Sequence, residues 1–456
     1  MTIETVLGKI SDIVWGPPML VLLFGTHIFL TIRLKFIQRF IGKGIKYSFI
    51  RKTEGEGDIS HFGALMTALA ATIGTGNIVG VSTAIAAGGP GAVLWMWLTG
   101  VFGIATKYSE ALLSVKYRVI GANGLMAGGP MYVLEHGLKS KWLGVCFAFF
   151  TAVAAFGIGN TVQANSVAAM ANETFNISPW ITGLILCSLT AMVIIGGIKT
   201  LSSACEKLVP VMAVVYIIGC IIILIMNFRF IDDAFFAIVR GAFNGQAAIG
   251  GFLGAGMREA IRFGIARGLF SNESGMGSAP IVAAAAQTKD PARQALVSAT
   301  GTFWDTVVIC ALTGFVIVST GVWTSGESGV SLSKAAFSRL SWIGPAILTF
   351  SLLTFVYSTI LGWSYYGEKA AEYLFGSKVV IPYRWFWVAA VFIGSVVKVP
   401  LVWSFADIAN ALMAVPNLIS MIALSGVVAF ETKSFLGKLK RQSVPSEITA
   451  NTISAD

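Results

Sequence analysis

The chain has 456 residues, 55% of them hydrophobic and 12% charged, with a mean hydropathy of +0.78. A soluble globule of this size needs far more polar surface, so the composition predicts an all-α protein threaded repeatedly through a lipid bilayer. The formal net charge of +10 would suit nucleic acid, but no nucleic-acid partner is expected, because the charge gathers in loops between apolar stretches.

Stretches of roughly 20 apolar residues, enough to cross hydrocarbon, fall at about 14–33, 61–88, 91–116, 142–171, 179–198, 206–228, 263–287, 293–318, 340–365, 382–398 and 403–430. Eleven transmembrane helices are predicted. Glu4 and Asp12 precede the first, with no basic leader, so that span is expected to be kept rather than cleaved as a signal peptide. The basic run "RLKFIQRFIGKGIKYSFIRK" at 33–52 reads as a cytoplasmic anchor on anionic lipid. If the first span starts outside, the loops on the inner side hold 22 of the 32 Lys and Arg and the outer loops hold 8. That asymmetry predicts a cell-membrane protein with its N-terminus outside and its C-terminus in the cytoplasm. Cys146, Cys187, Cys205, Cys220 and Cys310 lack C-x-x-C spacing and read as packing residues. His27, His61 and His136 are too scattered for a histidine metal site.

Two spans are interrupted at their centres. In "TALAATIGTGNIVGVSTAIAAGGPGAVLWMW", the middle holds Thr72, Gly74, Thr75, Gly76 and Asn77; in "FGIARGLFSNESGMGSAPIVAAAA", it holds Ser271, Asn272, Glu273, Ser274, Gly275 and Gly277. These are spans two and seven, five apart, and an odd interval turns a repeated unit upside down in the membrane. Paired interruptions of this kind in two halves point to a transporter's binding site. Lipid cannot satisfy the backbone N–H and C=O groups that unwinding frees, so each break must line a cavity or lie inside protein. The half-helix after a break offers N–H donors to a carboxylate and the half-helix before it offers carbonyls to a cation. A zwitterionic amino acid and Na⁺ fit both ends.

Other polar residues sit at membrane depth. Asn160, Gln163 and Asn165 fall in span four, and Gln163 is expected to face the ligand. Glu273 and Asp305 are intramembrane acids with possible coupling or gating roles; Arg267 is placed to pair with Glu273 if the helix unwinds. Lys107 and Glu110, three residues apart in span three, read as a structural or gating pair. No Walker loop, H-E-x-x-H motif or nucleophile–base pair supports an enzyme, so uphill movement must draw on an ion gradient. A proton-coupled carrier acting through Glu273 or Asp305 stays open, as does an ion channel.

The segment "GTGNIVGVSTAIAAGGPGAVLWMW" at 74–97, above all "GGPGAVLWMW", resembles the signature of the sodium:alanine symporter family, and the similarity runs over essentially the whole chain. The resemblance implies the five-plus-five inverted repeat of the bacterial leucine transporter and Na⁺-coupled uptake of small neutral amino acids such as alanine or glycine. The chain then divides into an extra N-terminal helix and basic loop (1–60), a first repeat (61–229), an external connector (230–261), a second repeat (262–430) and a cytoplasmic tail (431–456). Substrate residues implied are Thr72, Gly74, Thr75 and Gly76 in the first break, Gln163, and Phe270, Asn272, Gly275 and Met276 around the second. One sodium site takes the Asn77 amide; a second takes carbonyls of Ala70 and Ile73 with the hydroxyls of Ser358 and Thr359.

Overall fold

The computed structural model describes residues 3–50, 55–243, 256–397 and 400–442. The chain is helical almost throughout. Helix α1 (Ile3–Val14) leads into α2 (Pro17–Arg33), and α3 (Ile41–Ser48) follows after a 67° bend. The first broken span is α4 (His61–Thr72) and α5 (Gly76–Gly88), bent by 53°. Then come α6 (Ala92–Lys116), α7 (Lys141–Phe175), α8 (Pro179–Ile194), α9 (Gly197–Met226) and α10 (Ile231–Phe243). The second broken span is α11 (Met257–Asn272) and the single turn α12 (Pro280–Ala283). The chain continues through α13 (Pro291–Ser319), α14 (Gly329–Phe337), α15 (Ile343–Phe375), α16 (Val380–Val396), α17 (Pro400–Ala423) and α18 (Ser425–Gln442).

Six of these helices are long and apolar enough to cross a membrane, and eight spans result if each bent pair counts as one. Three of the eleven expected spans fall outside that count for physical reasons. Helix α6 is diluted by Lys107 and Glu110, α8 has 16 residues, and the second broken span ends in a helix of four. The expected span 403–430 also changes: α17 stops at Ala423 and α18 is a separate helix. Tyr108 joins α18 through Thr432 at 3.0 Å and Lys116 through Glu431 at 2.6 Å. Of the expected connector at 230–261, α10 rests on the start of α6, with Trp95 Nε1 donating to the Ala242 carbonyl at 3.1 Å; residues 244–255 lie outside the described residues, as do 51–54 of the basic loop and 443–456 of the tail.

Close approaches at glycine reveal how the helices are paired. A Cβ on Gly88 would lie 2.9 Å from the Glu259 carbonyl oxygen, and one on Gly76 would lie 3.1 Å from Ser271 Cα. At the far end of the same two spans Ile59 bridges Ala286. The two broken spans therefore run antiparallel along their length. Gly314 meets Val93 and Gly100 meets Thr306, so α6 and α13 are antiparallel too; Gly159 meets Trp363 and Gly144 meets Tyr373, giving α7 and α15 the same relation. Small residues let helix backbones approach in this way where lipid offers no hydrophobic drive for association. Arg118 fixes one end of the broken pair, donating to the carbonyls of Glu56, Ala284, Ala286 and Thr288 at 2.7 to 3.1 Å.

Candidate functional site

The first break opens at Ile73, whose backbone is extended (φ −75°, ψ 98°). The N–H of Gly74, which would otherwise close the helical bond to the Ala70 carbonyl, donates instead to Asn77 Oδ1 at 2.9 Å. That diversion takes from Ala70 the helical donor it would have, and the extended Ile73 turns its own carbonyl away from the helix. Ser358 Oγ on α15 lies 3.5 Å from that Ile73 oxygen, and a Cβ on Gly74 would lie 2.7 Å from Thr359 Oγ1. Ile73, Gly74, Ser358 and Thr359 are thus gathered at one point. Both hydroxyls also bond back to the Phe355 carbonyl one turn earlier in their own helix, at 2.8 and 3.1 Å.

A second polar cluster joins the two breaks. Asn77 Nδ2 donates to Asp305 Oδ1 at 2.7 Å, while Ser271 and Thr306 donate to Asp305 Oδ2 at 3.0 and 2.7 Å. All four side chains are at most 1% exposed. Asp305 comes from α13, so one carboxylate ties together residues from the first break, the second broken span and a third helix. Cys310 also accepts from Asn77 Nδ2, at 3.3 Å, which gives it a polar contact beyond the packing expected of it.

The second break is arranged differently from the expectation. Its glycines are in left-handed territory (Gly275 φ 91°, Gly277 φ 85°), and Glu273, unusually for a non-glycine, has φ 54°. The N–H groups of Gly275 and Gly277 both donate to Glu110 Oε1 on α6, at 3.0 and 3.1 Å, and Asn417 Nδ2 donates to the same oxygen at 2.7 Å. A carboxylate of the protein itself occupies the donor end of this break, so Gly275 is not left free for a ligand, and Met276 is buried in the core. Asn272 turns its Oδ1 to the Ser274 N–H at 2.9 Å and borders, with Lys107, a separate water-sized void. Lys107 makes no hydrogen bond to Glu110 among the described residues, and the pairing of Arg267 with Glu273 does not form: Glu273 holds Ser278 Oγ and Trp363 Nε1, the latter at 3.1 Å, and the carboxylate acting on Arg267 is that of Asp407.

Between the breaks lies a pocket of about 20 Å³, bordered by Thr72, Gly74, Thr75 and Gly76 of the first, Phe270 and Glu273 of the second, Gln163 of α7 and Thr359 of α15. Ala71, Ile158, Trp363 and Asn410 complete the wall. These last four escaped the sequence reading; Asn410 carried a signal, being a lone amide in an apolar span. Gln163 Nε2 donates to the Ile158 carbonyl at 2.9 Å, which fixes the orientation of the amide, and its Oε1 has no partner among the described residues. Asn410 Oδ1 is likewise buried without a partner there. Asn160 and Asn165 face the other way, donating to carbonyls of Trp387 and Gly394 on α16.

The family model for sodium:alanine symporters matches residues 1–449. The chain is 52% identical over 446 residues to the sodium/alanine symporter AgcS of Methanococcus maripaludis, covering 95% of this chain and 98% of that one. It is 36% identical over 446 residues to the probable sodium/glutamine symporter GlnT of Bacillus subtilis, covering 96% and 92%. Among solved structures, the crystal structure of MhsT in complex with L-phenylalanine is similar with a TM-score of 0.57 over 81% of this chain and 89% of that one, at 14% identity, a likeness of fold alone.

Proposed function

Since the chain belongs to the sodium:alanine symporter family, a family of membrane transporters, we propose that it is a secondary active transporter coupling Na⁺ entry to uptake of small neutral amino acids, alanine and glycine, by alternating access. The supporting observation is the pocket between the breaks, where Glu273 stands beside two unpartnered buried acceptors, Gln163 Oε1 and Asn410 Oδ1. An ammonium group has three N–H donors and no acceptor, and these three oxygens match it. The substrate carboxylate goes to the N–H groups of Thr75 and Gly76, which open the half-helix α5 and have no helical partner. Unpaired buried acceptors favour a ligand that supplies the missing donors over one that does not.

The free volume of about 20 Å³ is close to that of one water, so the conformation is contracted and the walls must part to admit an amino acid. Trp363, Phe270 and Ile158 leave space for a hydrogen or methyl side chain on this reading. Na⁺ is a second substrate. One ion site is assigned to Asn77 Oδ1, with Asp305, Ser271 and Thr306 holding the amide in place from its nitrogen side; the other to the Ala70 and Ile73 carbonyls with the hydroxyls of Ser358 and Thr359. Hard oxygen donors from helix ends and hydroxyls suit this ion, because they replace its hydration without holding it irreversibly.

The membrane arrangement we infer is eleven spans, the last ten forming a five-plus-five inverted repeat, with the N-terminus outside and the C-terminus in the cytoplasm. The antiparallel pairing of corresponding spans and the 22-to-8 distribution of basic residues support it. The buried carboxylates Glu273 and Asp305 favour H⁺ as the alternative coupling ion. Alanine uptake by proteoliposomes under an inward Na⁺ gradient, then an inward H⁺ gradient at matched membrane potential, tests both. Accumulation with Na⁺ alone is expected. Accumulation with H⁺ alone overturns the sodium assignment, and flux without saturation or countertransport overturns the carrier.

A further inference from the structure

The first helices and the last one enclose a groove of about 510 Å³ at one end of the bundle. Five cations line it: Arg33, Lys35, Arg39 and Lys43 from the segment after α2, and Lys433 from α18. No carboxylate lines it, and none of the five makes an ion pair among the described residues. The nearby Glu431 is already engaged by Lys116. Five like charges around one opening repel one another unless an anion joins them.

The floor is apolar, and its shape is held at some cost. Arg39 and Lys43 both stand over the Phe40 ring, 4.9 and 5.6 Å from its centroid, and Leu436 closes the opposite wall. Lys35 and Phe36 adopt left-handed backbone (φ 54° and 58°), which costs a non-glycine residue roughly 1–2 kcal/mol. This strained turn swings the cations of the 33–43 segment toward α18. The groove also has a fixed depth in the bilayer. Phe29 and Ile32 on the last turns of α2 are 41% and 63% exposed, marking a lipid-facing surface that ends at Arg33.

We propose that this groove binds the phosphate-bearing headgroup of an anionic phospholipid, with its acyl chains running along the exposed face of α2. The lipid would join the two ends of the chain, clamping α3, which packs on α13 where a Cβ on Gly44 would lie 2.4 Å from the Leu296 carbonyl. The leaflet is the cytoplasmic one on the orientation given above; the site itself does not depend on the transport reading.

The test is native mass spectrometry of the delipidated full-length protein in detergent, titrated with phosphatidylglycerol, with phosphatidylcholine, and with glycerol 3-phosphate. Phosphatidylglycerol should bind in preference to phosphatidylcholine. Removing two groove cations in Arg39→Gln/Lys433→Gln should weaken it about twenty-five-fold, because each cation at an anionic membrane surface is worth roughly a factor of five. The charge-matched control Lys46→Gln/Arg441→Gln, outside the groove, should bind as the parent does. Equal binding of the two lipids, or equal losses in the two variants, overturns the site. Glycerol 3-phosphate competing at the same concentration as the lipid overturns the membrane source and makes it a site for soluble anions.

Discussion

Glu110 Oε1 accepts the backbone N–H of Gly275 at 3.0 Å, across 165 residues of sequence. Together with the Gly277 N–H and the Asn417 amide, this contact fills the donor end of the second break with an acceptor oxygen from the protein. In the first break the Gly74 N–H is taken by Asn77 Oδ1, and no carboxyl group from another helix reaches Thr75 or Gly76 among the described residues; both border the pocket. The two breaks look alike in sequence, yet only the second has its glycine N–H groups taken by a carboxyl group among the described residues.

Truncation of that plug should be felt in folding. Glu110→Ala leaves two backbone N–H groups without an acceptor in a buried place and takes one of two acceptors from the Asn417 amide, which keeps the Gly275 carbonyl, a cost of about 3 kcal/mol or more. Glu110→Gln keeps one acceptor oxygen and should lose about 1 kcal/mol. Thermal unfolding in detergent checks the order: parent, then Gln, then Ala. Equal melting temperatures would show that the plug does not hold the break.

Asp305→Asn should raise the Na⁺ concentration for half-maximal transport about tenfold, the effect of losing a charge-assisted contact. Alanine affinity at saturating Na⁺ should change little, because Asp305 does not line the pocket. Transport measured across a Na⁺ series, with choline keeping ionic strength constant, separates the two effects.

Gln163→Ala removes an acceptor beside the pocket and should raise the KM for alanine about tenfold. Asn165→Ala provides the contrast: its amide donates to Gly394 and Val397 at 3.1 and 3.0 Å, away from the pocket, and its KM should stay at the parent value. If both variants transport as the parent does, Gln163 does not touch the ligand.

Gly74→Ala places a methyl 2.7 Å from Thr359 Oγ1 and should abolish transport. Adding Thr359→Ala removes the clashing atom. The double variant should recover folding and alanine binding while losing steep Na⁺ dependence, since the hydroxyl belongs to the second of the proposed ion sites. Binding measured by isothermal calorimetry at low and high Na⁺ reads both.

Much of this protein was legible in the sequence because the governing physics is local. A run of about 20 apolar residues must be helical in lipid, since no other backbone there can satisfy its own hydrogen bonds. Clusters such as Thr72–Asn77 and Ser271–Gly277 disfavour a continuous helix, so both interruptions followed from the chain alone. Thr72, Gly74, Thr75, Gly76, Gln163 and Phe270 do border one pocket. What remained hidden depends on partners far apart in sequence. In sequence Gly74 and Gly76 suit close approach of a ligand; in the fold they also make room for Thr359 and Ser271. Asp305, in sequence an intramembrane acid with a possible coupling or gating role, is where Asn77, Ser271 and Thr306 converge. Glu110, expected beside Lys107, closes a break on another helix. Local composition determines where a backbone must open, but which opening is left for a ligand depends on which distant side chain reaches it first, and only the antiparallel packing of the helices decides that.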